Sequence, residues 1–419
     1  MPVKINSTGG DFMKFNTSLL HSNGSSSKGA TITPIYQVSA FAHESAEKLE
    51  KVFNNKASGY AYSRIGNPSV DAFEQRMSVL EGGIGAVACA SGMAAVTMSL
   101  LNILIAGDEI IAGSGLFGGT IDLFRDLEPF GITTRYAGTV TAETVEPLIN
   151  SKTKAVFAEL IGNPKLDIVD IKKVAEVCHS HGLPLIIDST TATPYLIRPF
   201  EYGADIVVHS TSKYINGGGN SISGVIIDSG KFNFAKAGYK GFEEYKKFGR
   251  SAYLAKLRGS IWRNTGACLS PFNAFMNSVG METLGLRMER CCYNAQKLAE
   301  FFSTDSSIEV NYPGLPDNPY HELVQEQLKG MAGAILTIRT GSKERAFRLI
   351  NNLKYALIAT NIGDVRTLVI HPDSTIYTHG SKEARINAGV YEDTIRISVG
   401  IEDIEDLIAD FGQAAERSK

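Results

Sequence analysis

Cysteine is scarce in this chain: five residues among 419, an odd number, at Cys89, Cys178, Cys268, Cys291 and Cys292. They stand in apolar or helical contexts, so they read as reduced core thiols of a cytosolic protein and exclude a disulfide framework. Net charge is also small, −3, which leaves no electrostatic case for nucleic acid or an anionic membrane surface as partner. Long apolar runs are missing too. The nearest approach, Met93 to Ala106, is interrupted by Thr97, Ser99 and Asn102, whereas a membrane span needs about 20 apolar residues. Met1 to Gly10 has no apolar segment of the kind a secretory signal carries. What remains is the composition of a soluble globular protein, 43% hydrophobic and 20% charged. The length exceeds one simple core and points to two or three domains.

Residues 1 to about 30 are rich in Ser, Gly and Asn, loosest at His21-Ser22-Asn23-Gly24-Ser25-Ser26-Ser27, and predict a flexible arm. From about Gly66, apolar helices alternate with short apolar strands. The strands are Ala86–Cys89, Glu109–Ala112, Thr133–Tyr136, Ala155–Glu159, Leu185–Asp188, Ile206–His209 and Gly224–Asp228. That alternation predicts a mostly parallel sheet covered on both faces, an α/β fold. After a helical stretch around Leu257 to Asn264 the pattern changes. Ser270 to Phe302 reads as long and helical, Ala334–Arg339 and Thr394–Val399 as strands, and Ile401 to Ala415 as a closing helix, together a smaller α+β domain.

The strand Ile206–His209 runs into Ser210-Thr211-Ser212-Lys213-Tyr214, followed by Gly217, Gly218 and Gly219; the strand before it ends on Asp188. In a parallel sheet both ends lie on one edge, so a lysine and a carboxylate meet above it. Taken singly, such a lysine is ordinarily a solvated loop residue and such an aspartate a cap or turn. Together they are what pyridoxal phosphate needs: an amine for the Schiff base, and a carboxylate that keeps the pyridine nitrogen protonated. Ala88-Cys89-Ala90-Ser91-Gly92-Met93-Ala94-Ala95 reads as strand, small-residue turn and helix start. Backbone N–H groups of Gly92 and Met93 there would make an anion site, and Ser210 and Ser212 add hydroxyls. Tyr62-Ser63-Arg64-Ile65-Gly66-Asn67-Pro68 supplies an arginine suited to phosphate.

Two other patterns lead elsewhere. Gly113-Ser114-Gly115-Leu116-Phe117-Gly118 matches the dinucleotide fingerprint of a nicotinamide-dependent oxidoreductase. The strand after it, however, has no acid, and the unit is not the first of the sheet. Cys178-His179-Ser180-His181 suggests metal, but it lies at a helix end with no further ligands near in sequence.

These motifs resemble the cystathionine γ-synthase/Cys-Met metabolism family of pyridoxal-phosphate enzymes, and within it the O-acetylhomoserine sulfhydrylases. The likeness runs from Thr33-Pro34-Ile35-Tyr36-Gln37 to Arg396-Ile397-Ser398-Val399-Gly400-Ile401-Glu402-Asp403. It also takes in Gly162-Asn163-Pro164, Asp188-Ser189-Thr190, Leu269-Ser270-Pro271-Phe272 and Glu282-Thr283-Leu284. The resemblance implies an aspartate-aminotransferase-like (type I) fold and a cytoplasmic homotetramer built from two intimate dimers. It divides the chain into an arm and intersubunit segment (1–65), a cofactor-binding α/β domain (66–266) and a C-terminal α+β domain (267–419). By position, Lys213 would hold the cofactor and Asp188 would face its ring nitrogen. Gly92, Met93, Ser210 and Ser212 would bind the phosphate, with Tyr62 and Arg64 reaching in from a neighbouring subunit. Arg396 would clamp the substrate carboxylate, helped by Asn361 and Asn163. Phe117 stands where the family has a ring-stacking tyrosine, so it can stack but has no hydroxyl; Tyr62 and Tyr377 are candidates to replace it. The family's His-Pro-Ala-Ser-Thr-Thr-His becomes His371-Pro372-Asp373-Ser374-Thr375-Ile376-Tyr377, which alters the substrate entrance. The implied reaction is γ-replacement on O-acetylhomoserine with sulfide or a thiol, giving homocysteine or methionine and acetate. Methionine γ-lyase or a related C–S lyase is the alternative, since these enzymes share the motifs. Gly119 in place of the lyases' reactive cysteine, and Asn361, fit the sulfhydrylases better.

Overall fold

The computed structural model describes residues 13–22, 29–54, 56–378 and 381–419. Most of the expected arm, residues 1–12 and 23–28, lies outside them. The stretch between is not the predicted arm but a helix, Phe15–His21. Leu19 is buried, and its carbonyl accepts a hydrogen bond from the buried guanidinium of Arg76. A distant cation therefore tethers a segment whose own composition favours disorder.

Seven strands form the larger sheet: β1 (Gly85–Cys89), β2 (Glu109–Ala112), β3 (Thr133–Tyr136), β4 (Thr153–Glu159), β5 (Leu185–Asp188), β6 (Ile206–His209) and β7 (Gly224–Asp228). Their spatial order is β1-β7-β6-β5-β4-β2-β3. The strands from β6 to β3 pair in parallel, whereas β7 runs antiparallel to both β6 and β1. Alternate residues feed separate cores on the two faces. Val156, Ile187 and Val207 enter one apolar cluster, while Phe157, Ile186 and Val208 enter the other. Burial on both sides is why the inner strands β4, β5 and β6 are largely apolar runs in the sequence, whereas the edge strand β3 is partly exposed.

The flanking helices begin where side chains can satisfy their free N–H groups. Asn67 accepts from Ser69 N at 2.9 Å, with Pro68 at the first helical position, and Gly82 (φ 77°) ends that helix, Pro68–Glu81. The predicted single helix of Ser270 to Phe302 is two, Pro271–Met281 and Leu284–Phe302. Arg287 of the second donates to Gly280 O of the first at 2.7 Å, alongside a longer bond from Thr283 N at 3.4 Å, and so ties the two helices across the break.

The second sheet contains β8 (Glu309–Asn311), β9 (Ile335–Arg339), β10 (Leu357–Ile358), β11 (Leu368–Ile370) and β12 (Thr394–Ser398), ordered β10-β11-β12-β9-β8. All its pairs are antiparallel except β10 with β11. Helices Lys343–Asn351 and Ile404–Ser418 bury Leu349, Leu407 and Phe411 into the same core as one face of the larger sheet. Among the described residues, no helix is long and apolar enough to cross a membrane. The larger sheet sets out the chemistry at one edge. Glu159 pairs with Asp188, and Asp188 with Val208, so the ends of β4, β5 and β6 stand side by side.

Candidate active site

The turn after β1 packs tightly against the turn after β6. Ser91 Oγ accepts from Ala94 N at 3.0 Å and caps the helix Gly92–Leu101. The first N–H groups of that helix have no intrahelical acceptor, and its dipole favours negative charge. A Cβ on Gly92 would lie 2.5 Å from Ser210 Cβ, so only glycine lets this turn meet the one after β6. Ser210 N donates to Thr190 Oγ1 at 2.8 Å, and Ser212 Oγ accepts from Ser223 N at the same distance. These bonds fix two hydroxyl-bearing residues beside the helix start.

Lys213 follows on the next turn. Its Nζ donates to Asn361 Oδ1 at 2.5 Å. Burial, helped by the charge of Arg396, lowers the ammonium to about 8. Asn361 can come this close because the loop continues through Gly363 (φ +70°), where a Cβ would lie 2.5 Å from Tyr214 N. At the end of β5, Asp188 accepts from Thr190 N at 2.9 Å. Burial raises its carboxyl, opposed by hydrogen bonds from Thr190 and by His209. Its neighbour Glu159 is raised further, by burial first and then by the charge of Asp188, although Phe117 N donates to it at 2.6 Å. Thr190 and His209 favour charge on Asp188, while burial and the charge of Asp188 favour the proton on Glu159.

The opposite wall carries the cation. Arg396, in the middle of β12, is 2% exposed. Its Nη1 donates to Asn163 Oδ1 at 3.2 Å and its Nη2 to Asn361 O at 3.0 Å. Its Nε is buried with no hydrogen-bond partner among the described residues. Burial lowers the guanidinium to about 10, so it is charged at neutral pH. A buried cation with a free donor suits a substrate carboxylate.

One cavity of about 470 Å³ joins these groups. Gly92, Met93, Phe117, Asn163, Asp188, Ser210, Ser212, Lys213, Asn361 and Arg396 all line it. Tyr62 and Arg64 do not. Arg64 Nη1 donates instead to Arg263 O at 2.7 Å, and Tyr62 is exposed. Tyr377 is not in the wall either, because its hydroxyl donates to the backbone at Leu116 O, 3.0 Å away. The sequence reading passed over Glu159, which the rule that singled out Asp188 would have found: a carboxylate closing a parallel strand. The GxGxxG loop serves to bring Phe117 to the rim. His179 Nε2 lies 2.9 Å from Asp205 Oδ2, which also accepts from Leu185 N, so that histidine braces β5.

The wall fits pyridoxal phosphate in each of its parts: an amine, an anion cradle, a buried carboxylate and an aromatic ring. Comparison with known proteins agrees. Residues 16–416 match the family described as Cys/Met metabolism PLP-dependent enzyme. The O-acetyl-L-homoserine sulfhydrylase of Corynebacterium glutamicum is 40% identical over 97% of this chain and 98% of its own. The homocysteine synthase of Schizosaccharomyces pombe is 39% identical over 96% and 98%. An O-acetylhomoserine (thiol)-lyase structure from Campylobacter jejuni, which carries a pyridoxyl-lysine phosphate, superposes with TM-score 0.89 and 34% identity, covering 96% of this chain and all of that one. The cystathionine γ-lyase of Lactobacillus plantarum, solved with L-serine, gives 0.86 and 31%, covering 97% and 99%. The chain belongs to the Cys/Met metabolism family of pyridoxal-phosphate-dependent enzymes.

Proposed function

We propose that the protein catalyses γ-replacement on O-acetylhomoserine, with sulfide or a thiol as nucleophile, giving homocysteine or methionine and acetate. The observation that carries the reading is the single cavity joining the depressed amine of Lys213 to the buried Arg396. The relatives named O-acetylhomoserine sulfhydrylase and homocysteine synthase support the choice of substrate. Arg396, oriented by Asn163 and Asn361, binds the α-carboxylate and leaves the Cα–Cβ–Cγ chain facing Lys213. Bound here, pyridoxal phosphate supplies the electron sink that makes the Cα and Cβ hydrogens acidic. Lys213, whose amine burial lowers to about 8, would take the Cα proton, give it up to the bound cofactor, and, neutral again, take one from Cβ. Asp188 would hold negative charge for the ring nitrogen, and the helix start at Gly92–Met93 with Ser210 and Ser212 would hold the phosphate. Phe117 covers the ring without offering a proton.

The same reading makes the working unit a cytoplasmic homotetramer, a dimer of dimers. Tyr62 and Arg64 stand outside their own cavity and would complete a neighbour's, and the five free thiols suit a reducing compartment. It also assigns residues 1–65, 66–266 and 267–419 to arm, cofactor domain and C-terminal domain. The two sheets fall inside the second and third of these. The test is to incubate the purified protein with O-acetylhomoserine, with and without sulfide, and identify the products. Homocysteine and acetate are expected with sulfide. If 2-oxobutyrate and ammonia form at the same rate whether or not sulfide is present, the protein is a γ-lyase instead.

A further inference from the structure

The segment from His371 to Tyr377 is braced by its own polar contacts. His371 shares a hydrogen bond with Ser374 Oγ at 2.9 Å through Nδ1 and contacts Glu392 O at 2.8 Å through Nε2. Asp373 pairs with Arg385 at 2.9 Å, and Tyr377 N donates to Pro372 O at 3.1 Å. The braced turn drives Tyr377 into a small apolar cluster with Ala388 and Val390, 6% exposed. From there its hydroxyl faces two carbonyls of the larger α/β part, Leu116 O at 3.0 Å and Asn163 O at 3.2 Å.

Those two carbonyls belong to the loops that carry Phe117 and Asn163 to the cavity. The same loops are held from the other side by Glu159, which accepts from Phe117 N at 2.6 Å and whose charge the backbone of Asn163 favours. Two peptide segments are thus clamped between one carboxyl group and one phenol. Asn163 in turn accepts from Arg396 Nη1. We infer that Tyr377 is a positioning residue for the substrate carboxylate: its hydroxyl fixes the backbone of Asn163, and Asn163 aims Arg396. Packing alone would need the ring but not the hydroxyl. Without the hydroxyl, two buried acceptors lose a donor, and the loop can relieve that cost only by moving.

The inference rests on the proposed function only in taking an amino acid as the ligand, so the test uses ligands that lack a γ leaving group. Alanine, and its decarboxylated counterpart ethylamine, are titrated into the cofactor-loaded protein and followed by the cofactor's absorbance. In Tyr377→Phe, alanine should bind about ten-fold more weakly while ethylamine is unchanged. In an Asn163→Ala background the further effect of Tyr377→Phe should largely vanish, because both act on Arg396 through one path. Tyr377→His, whose ring N–H can still reach one carbonyl, should recover part of the loss. It also provides the same comparison if Tyr377→Phe does not fold. Equal weakening of both ligands, or undiminished alanine binding, would overturn the inference. Because neither ligand is turned over by γ-replacement, the outcome does not depend on O-acetylhomoserine being the substrate.

Discussion

The wall of the cavity built by β4, β5 and β6 and the wall facing it are made in different ways. On the first, Glu159, Asp188 and the turn from Ser210 to Lys213 follow one another at successive βα units, and strand register sets them side by side. On the second, Asn361 and Arg396 come from the C-terminal part of the chain and are tied to the sheet edge by contacts such as Arg396 to Asn163 across 233 positions, while Phe117, in the turn after β2, is held by Glu159. In the proposed reaction the sheet edge would supply the charge and the amine, and the facing wall would hold the substrate carboxylate. Chemistry is therefore fixed by local order along a rigid sheet, and selectivity by long-range assembly.

The comparison breaks most visibly at Lys213. Lys213→Ala should remove the absorbance of covalently held cofactor and abolish turnover. Arg64→Ala should keep that absorbance and lose cofactor affinity. Hybrids of the two should regain activity, since one of the two sites in each dimer then has both intact halves. Activity in the homomeric Lys213→Ala protein, or none in verified hybrids, would contradict the assignment.

A smaller effect concerns the cost of the sheet-edge wall to stability. The folded value of Lys213, about 8, lies below its ordinary 10.5, so the unfolded chain holds this proton more tightly. Between those values the unfolded state binds more protons, and the contribution of Lys213 to stability rises with pH. Below about 8 both states are protonated and burial is fully penalised. Lys213→Met, freed of cofactor, should be more stable than wild type at pH 8 in urea unfolding, by a margin that shrinks towards pH 10. A constant margin would show that burial does not depress this amine.

The two walls also differ in how far they can be read from sequence. The bounds of β2, β5, β6 and β7 match the apolar runs, because strands buried on both faces announce themselves, and β3 also has the expected bounds although it is the partly exposed edge strand. Lys213, Asp188 and the turn at Gly92 follow from the same pattern. In the smaller sheet, β8, β10 and β11 are two or three residues long, too short for alternation to register. The helix Phe15–His21 depends on Arg76, and the break before Leu284 on Arg287. Neither partner is visible from local composition. Tyr377 reads in sequence as a possible proton donor to the substrate, yet its hydroxyl is spent on two backbone carbonyls that only the fold brings near it.

Phe117, in the turn after β2, bears most directly on the proposed reaction. A carboxylate leaving group has a conjugate-acid pKa of about 4, and a thiolate of roughly 8.5, a gap of about 5–6 kcal/mol in leaving-group stability, only part of which reaches the barrier. Acetate can depart without a donated proton, whereas a thiolate needs one, and a phenylalanine cannot provide it. The decisive measurement is kcat/KM of the wild-type enzyme for O-acetylhomoserine against methionine, repeated with Phe117→Tyr. A strong preference for the acyl ester, narrowed by Phe117→Tyr through faster elimination from methionine, is the predicted result. Equal efficiency of the wild-type enzyme on the two substrates would contradict the account and make the protein a γ-lyase.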